Sequence, residues 1–334
     1  MSVYAARLRR MICEAVGKNE TDKPLEGYKI VVDAGNGAGG FYASKVLEPL
    51  GADISSSQFL EPDGNFPNHA PNPEDKKAMA AICSRVKECG TDLGLIFDTD
   101  LDRSSAVDER GNEINRNSIV AMAAALIADA YPGTTVVTDS ITSNELTTFL
   151  EEGLGLKHLR FKRGYKNVIN KSVELNESGI DSQLAIETSG HAAYKENYFL
   201  DDGAYMAVKL LIAAALAAKE GKQVGSFIEK LAKGFDERER RMKIFAEDFA
   251  SYGKEVLAAF ESRAKEAGYN VAPNSYEGVR LSFNSEEVQG WLLLRMSLHD
   301  PLMPMNLEGV RPGDCEKMLA IVKELLVGFD QLDI

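Results

Sequence analysis

Three aspartates at alternating positions and an arginine, Asp98, Asp100, Asp102 and Arg103, follow directly on the apolar run Leu93-Gly94-Leu95-Ile96-Phe97. In an extended loop, alternate side chains project to one side, so the three carboxylates can converge while Thr99 and Leu101 face away. Carboxylates packed together repel, and they stay ionised at neutral pH only where a metal or several donors neutralise them. Hard oxygen ligands suit Mg²⁺, Ca²⁺ or Mn²⁺ rather than zinc. The run before them, bounded by Gly90 and Gly94, reads as a buried strand. It delivers the loop to the carboxyl edge of a sheet, where the ligands of open α/β sheets collect.

Three further spots carry reactive side chains. Lys162-Arg163-Gly164-Tyr165-Lys166 follows an expected strand, and its three cations and glycine can receive a phosphate; taken alone, the run is also what a solvated turn looks like. Glu187-Thr188-Ser189-Gly190-His191 offers an acid, a hydroxyl and an imidazole suited to sugar hydroxyls or proton movement, although a lone histidine is often only a satisfied polar group. In Arg295-Met296-Ser297-Leu298-His299-Asp300-Pro301 the arginine and serine could hold an anion, or Arg295 could pair with Asp300. A fourth run, Gly35-Asn36-Gly37-Ala38-Gly39-Gly40, formally matches a dinucleotide fingerprint, with Glu61 near the expected ribose position. Glu61, however, lies in a Pro/Gly loop, so the glycines are read as permitting a tight turn and close packing.

The elements that must position these residues follow from periodicity. A helix covers residues 1 to about 20, with Tyr4, Leu8, Met11, Ile12 and Val16 on one face. Lys29–Asp33 is a strand entering the glycine turn, Phe41–Leu50 has helical spacing, and four prolines from Pro62 to Pro73 exclude regular structure. Helices are expected over about 73–89, 118–131, 143–154, 168–178 and 202–219, and strands over 104–108, 134–138, 157–161 and 183–186. From Gly234 to Arg241 the composition turns charged and a linker is expected. A helix over 246–267, strands over 279–283 and 290–296 joined by a hairpin turn, and a helix over 314–332 complete the chain. The fold class is therefore α/β: two successive α/β domains (1–115 and 116–235) with mixed, mostly parallel sheets, then a smaller α+β domain (236–334) with an antiparallel sheet.

At 334 residues, 44% hydrophobic and 27% charged, the composition is that of a globular protein, and no apolar run approaches the ~20 residues of a membrane span. Without a signal-peptide pattern, and with Cys13, Cys83, Cys89 and Cys315 lacking paired spacing, the expectation is a cytoplasmic protein in which most of these thiols are buried. The net charge of -13 argues against general affinity for nucleic acid. An anionic substrate is still compatible with local Lys and Arg groups.

Asp98 and Asp100 also resemble the aspartyl-phosphate loop of haloacid-dehalogenase-type phosphatases, in which they would be nucleophile and general acid. An acid at Asp102 opposes this, because it would repel the nucleophile. The ordered set Asp33-Ala34-Gly35-Asn36-Gly37-Ala38-Gly39, the Asp63–Pro73 loop, Asp98–Arg103, and Glu187–His191 followed by Asp201-Asp202-Gly203 resembles the α-D-phosphohexomutases, phosphoglucomutase/phosphomannomutase. The resemblance spans nearly the whole chain and implies the second, third and fourth domains of that family. It implies Mg²⁺ on Asp98, Asp100 and Asp102, with Arg103, His191 and Lys162 near the reacting group. Glu187 and Ser189 would bind sugar hydroxyls, and Arg295 and Ser297 would hold the phosphate that is not being transferred; the Lys162, Arg163 and Lys166 cluster is read as helping to hold the substrate. The implied activity is phosphoryl transfer between C1 and C6 of a glucose or mannose 1-/6-phosphate through a bisphosphate.

Two departures qualify it. The family's first domain, which carries a Ser-His phosphoserine loop, has no counterpart, so a separate first domain would supply the phosphoserine and the chain would be inactive alone. Leu298 and His299 stand where the family loop resembles Ser-Asn-Thr-Glu-Pro. Leu298 removes a polar contact, and His299 could itself donate to a phosphate. A hexose-phosphate-binding protein without catalysis is the remaining alternative.

Overall fold

Helix α1 (Ser2–Val16) buries Leu8, Ile12 and Val16 at four-residue spacing, and Gly17 ends it at φ +69°. These elements belong to a computed structural model that describes residues 1–232, 234–297 and 300–334. The chain divides into two compact units. The first comprises Met1–Thr138, Phe149–Leu159 and Gly164–Leu231, and the second Asp139–Thr148, Arg160–Arg163 and Ala232–Ile334.

In the first unit, β1 (Ile30–Asp33) runs into the glycine turn. The helix expected over Phe41–Leu50 is replaced by a 3-10 turn at Ala38–Gly40, a π turn at Ala43–Leu47 and a 3-10 turn at Glu48–Leu50. Pro49 is the cause, because it has no N–H to give the Lys45 carbonyl four residues back. Arg9 Nη1 takes that carbonyl instead, at 2.7 Å.

Helix α2 (Lys76–Cys89) starts on Asp75, whose side chain accepts from Lys77 N and Ala78 N. Its Ala78, Met79, Ile82 and Val86 pack with Val31, Ile96 and Val107. Those three belong to the sheet of β1, β2 (Leu93–Phe97) and β3 (Ser104–Asp108), with β4 (Glu113–Ile114) last in the order β1-β2-β3-β4. β1 and β2 are parallel, β2–β3 and β3–β4 antiparallel, and parallel bridges Lys29↔Asp53 and Asp33↔Gln58 extend the pairing of β1.

Helix α3 (Asn117–Ala128) is buried along most of its length, and β5 (Thr135–Thr138) follows. Then come α4 (Asn144–Thr148), a π turn at Phe149–Gly153, β6 (Lys157–Arg160), α5 (Tyr165–Glu177), β7 (Leu184–Ile186), β8 (Ala192–Tyr194) and α6 (Gly203–Lys219). The second sheet has the order β6-β5-β7-β8, with β5 and β7 parallel and β7–β8 antiparallel. Asp202 caps α6 by accepting from Tyr205 N, and Tyr4 of α1 donates its hydroxyl to the same carboxylate at 2.5 Å.

The second unit is an antiparallel sheet of β9 (Asp236–Lys243), β10 (Asn270–Val271), β11 (Val279–Asn284), β12 (Gln289–Leu294) and β13 (Leu302–Gly309), in the order β10-β11-β12-β13-β9. Helices α7 (Phe249–Glu266) and α8 (Asp314–Leu325) give Val256, Phe260, Met318 and Val322 to its core, where they meet Leu281, Leu292, Met303 and Met305. The expected hairpin closes at Asn284↔Gln289. The expected linker is wrong, because residues from Asp236 form β9. This strand is an edge, where charged side chains are at home. Its charges pair locally, Arg238 with Asp236 and Glu316 and Arg241 with Glu239. Buried Arg280 ties Asp139–Thr148 into this unit by donating Nη1 to Ser140 O, and Nη2 to Thr142 O and Asn144 Oδ1. Its guanidinium also lies 3.9 Å from the Trp291 ring centroid.

The fold class read from the sequence is the one observed, two mixed α/β sheets followed by an antiparallel one. Among the described residues, no helix is long and apolar enough to cross a membrane.

Candidate functional site

The aspartate loop joins β2 to β3, and its shape is set by Asp98. This nearly buried carboxylate accepts from Leu101 N at 3.0 Å and Arg103 N at 3.1 Å on Oδ1, and from Arg103 Nε at 3.0 Å on Oδ2. Leu101 sits at φ +70°, a left-handed conformation that a bulky residue adopts at a cost of about 1–3 kcal/mol. This turn brings ligand-type oxygens of Asp98, Asp100 and Asp102 within 4.8 Å of one another. The glycine turn supports the loop from behind, with Ala38 N donating to Thr99 O at 2.8 Å. A Cβ at Gly37 would stand 2.6 Å from Thr99 O, so only glycine permits the approach.

Burial, with the neighbouring Asp98 carboxylate behind it, pushes the Asp102 carboxyl up to about 7. Its Oδ1 is buried without a hydrogen-bond partner among the described residues. A buried carboxylate oxygen without a hydrogen bond, with Arg103 Nε 3.9 Å away and two more carboxylates beside it, is what a hard divalent cation would satisfy. The residues present fit such an ion.

The Glu187–His191 loop joins β7 to β8 and lies directly against the aspartate loop. Arg103 and His191 form an antiparallel bridge. Gly190, at φ +98°, lies so close that a Cβ would meet Ser104 O at 2.7 Å. His191 gives Nδ1 to Asp201 Oδ2 at 2.7 Å, stands 3.7 Å from Asp102 Oδ2, and stacks on Tyr165 with 5.1 Å between ring centroids. Burial opposes a charge on this imidazole, but Asp201, with Asp102 behind it, outweighs that and holds its pKa above the ordinary value. Glu187, buried, accepts from Gly164 N at 2.6 Å, and Ser189 is buried in the same turn.

In the second unit, Glu277 organises the cations. Its carboxylate accepts from Ser140 Oγ at 2.6 Å and Arg163 N at 3.1 Å, and lies 3.5 Å from Arg295 Nη1. The carboxylate partner of Arg295 is thus Glu277 rather than Asp300, whose N–H instead meets Ser297 Oγ at 3.2 Å. Burial draws the Arg295 guanidinium down from its ordinary value, against the pull of Glu277. Arg163 Nε also stands 3.8 Å from Asp139. Lys162 and Lys166 are exposed, the first in this unit and the second on α5 of the other. His299 and Leu298 lie outside the described residues.

Residues 4–111 match the family model described as phosphoglucomutase/phosphomannomutase, alpha/beta/alpha domain II, and residues 115–235 match domain III of the same family. The chain belongs to the phosphoglucomutase/phosphomannomutase family. It is 31% identical over 294 residues to a phosphomannomutase/phosphoglucomutase of Pseudomonas syringae pv. tomato, covering 88% of this chain and 59% of that protein. It is 28% identical over 307 residues to a phosphoglucomutase of Neisseria gonorrhoeae, covering 91% and 61% respectively. The chain spans about three fifths of the length of these relatives. A phosphoglucomutase/phosphomannomutase family protein from Burkholderia thailandensis shares the fold with a TM-score of 0.75 at 24% identity, over 98% of this chain and 66% of that one. An Aspergillus fumigatus N-acetylphosphoglucosamine mutase, in complex with GlcNAc-6P and magnesium, gives 0.57 at 16% identity, over 94% and 68%.

Sequence reasoning left several residues of this arrangement without a role. Asp201 was visible only as part of an Asp-Asp-Gly run, and nothing local marked it as the partner of His191. Asn72, whose Oδ1 accepts from Arg103 Nη1 at 3.0 Å, was lost in a proline-rich loop. Glu277 lay in a stretch without a motif.

Proposed function

We propose that the chain carries the metal-, sugar- and phosphate-holding parts of an enzyme that moves a phosphoryl group between C1 and C6 of a hexose phosphate, glucose or mannose, in the cytoplasm. The observation that carries this reading is the seam at Arg103 and His191, where the three-carboxylate loop and the Glu187–His191 loop adjoin. Phosphoryl transfer needs in-line positioning and neutralised equatorial oxygens more than it needs strong bases. Mg²⁺ held by Asp98, Asp100 and Asp102 would supply part of that neutralisation; the fungal mutase of the same fold was crystallised with magnesium.

The chain's own residues do the rest. Arg103, braced by Asp98 and Asn72, brings positive charge to the transferring group. With Nδ1 committed to Asp201, His191 presents Nε2 as the atom that takes or returns a sugar hydroxyl proton. Glu187 and Ser189 bind sugar hydroxyls. Arg163, Arg295 and Ser297, all of the second unit, hold the phosphate that is not being transferred, which must exchange ends with the other through a bisphosphate.

No Ser-His dipeptide occurs in residues 1–334, so in this reading the phosphoserine comes from outside them and the chain alone binds without turnover. The Asp102 carboxylate beside Asp98 counts against Asp98 as a phosphatase nucleophile, because it would repel one. Calorimetric titration of glucose 6-phosphate and mannose 6-phosphate, with Mg²⁺ and with EDTA, tests the proposal. Binding strengthened by Mg²⁺ is expected. Absence of binding, or phosphate release that Asp98→Asn abolishes, would overturn it.

A further inference from the structure

Beneath the glycine turn lies a buried ion pair to which the proposed mechanism gives no task. The Asp33 and His69 side chains are 0% and 2% exposed. His69 Nε2 stands 3.1 Å from both Asp33 oxygens, and Nδ1 stands 2.9 Å from Ala70 O. Both ring nitrogens thus face oxygens, an arrangement that an imidazolium beside the Asp33 carboxylate satisfies. The Asp33 hydrogen bond and charge raise the His69 pKa against the opposing effect of burial, with Asp75 the other carboxylate acting on it. Asp33 also accepts from Gly35 N at 2.9 Å and Gln58 Nε2 at 2.8 Å, so its charge is well met. The Phe59 ring edge closes over the imidazole at 5.3 Å.

The pair stands at one end of a short path to the metal loop. His69 begins the segment His69-Ala70-Pro71-Asn72-Pro73, whose far end is pinned by Asn115 Nδ2 on Pro73 O at 3.0 Å. Pro71 sits against Gly35, where a Cβ would come within 2.9 Å of the proline Cβ. Two prolines leave the segment little freedom. Asn72 in its middle accepts from Glu74 N and Arg103 Nη1, both at 3.0 Å. Arg103 Nε in turn holds Asp98 at 3.0 Å.

We propose that His69 and Asp33 form a positioning pair for the metal centre, clamping the proline segment so that Asn72 orients Arg103 and Arg103 orients Asp98. A buried charged pair is a poor means of raising stability, because its desolvation offsets the attraction. As a means of setting one geometry it acts at the distance seen here, as outer partners of metal ligands do. The inference rests on the reading of Asp98, Asp100 and Asp102 as a cation site.

The test is Mg²⁺ binding to the full chain by calorimetry, with thermal unfolding in EDTA alongside. His69→Gln and the isosteric Asp33→Asn are each expected to weaken Mg²⁺ affinity roughly tenfold. Asn72→Ala, which leaves the pair intact, should do the same. Combined with either change it should add no further loss, since all act along one path. Two variants of the pair are made so that one unfolded protein does not decide the matter. Folded variants that bind Mg²⁺ within twofold of the parent while melting earlier would reduce the pair to a stability element and overturn the proposal. Losses that multiply in the double variant would refute the route through Asn72. A parent chain that binds no Mg²⁺ would remove the metal centre itself, and both readings with it.

Discussion

Asp102→Asn separates what the aspartate loop costs the fold from what it does for a metal. Burial, reinforced by Asp98, takes the Asp102 carboxyl from 3.8 to about 7. That difference of about 3 units corresponds to about 4 kcal/mol at ~1.4 kcal/mol per unit. The side chain is 31% exposed, and solvent screening brings the figure to about 1–2 kcal/mol. Because the folded state holds this proton more tightly than the unfolded chain does, the stability contribution is intact below about pH 4. It is lost as pH rises to about 7 and is level above that. Asparagine has the same shape and no charge. In EDTA at pH 8 the variant should therefore be more stable than the parent by about 1–2 kcal/mol, and at pH 4 the two should coincide. With Mg²⁺ the order should reverse, because a ligand at a hundred times its Kd stabilises the parent by about 2.7 kcal/mol and the variant lacks the site. Urea unfolding followed by circular dichroism suits the measurement, since the single tryptophan, Trp291, reports on the second unit. A variant no more stable than the parent at pH 8 in EDTA, or an equal gap at pH 4, would refute the reasoning.

Other substitutions probe separate parts of the account. Burial, with Glu237 facing it across β13 and β9, pushes Glu308 up to about 8. Stability of the second unit should therefore fall between about pH 4.5 and 8, and Glu308→Gln should flatten that slope in urea unfolding read by Trp291 fluorescence. Gly37→Ala drives a methyl group into Thr99 O; it should destabilise the chain by about 1–3 kcal/mol and weaken Mg²⁺ binding in calorimetry. Asp201→Asn removes the partner that outweighs burial at His191. Its imidazole pKa, followed by proton NMR in EDTA, should drop below the parent's, and an unchanged value would contradict the assigned pairing.

The parts of this molecule legible in the sequence are those where one local pattern implies one physical need. The Leu93–Phe97 run ending in alternating acids announced a buried strand and a charged loop, and the Asn284–Gln289 hairpin followed from alternation and spacing. Long-range partnerships were silent: nothing near His191 names Asp201 as its partner, and nothing near Asn72 names Arg103. Glycine roles were half visible. The run from Gly35 to Gly40 was rightly read as packing, but the surfaces it packs on, Pro71 for Gly35, the backbone of Asp98 and Thr99 for Gly37 and the Phe97 ring for Gly39, came only from the fold. Charged β9 was missed because hydropathy cannot distinguish a solvated linker from an edge strand whose charges pair with one another. The break at Pro49 was written in the sequence, and helical spacing on either side obscured it.

The central proposal is that residues 1–334 carry the metal-, sugar- and phosphate-holding parts of a hexose-phosphate transfer enzyme, with the phosphoserine supplied from outside them. Its most direct test is conversion of glucose 1-phosphate to glucose 6-phosphate with Mg²⁺, measured for the chain alone and for the chain supplied with a phosphorylated Ser-His domain from a relative. The expected result is no turnover by the chain alone and Mg²⁺-dependent turnover when the domain is added, lost in Asp98→Asn. Turnover by the chain alone, or none with the domain when the chain binds both Mg²⁺ and the sugar phosphate, would contradict it.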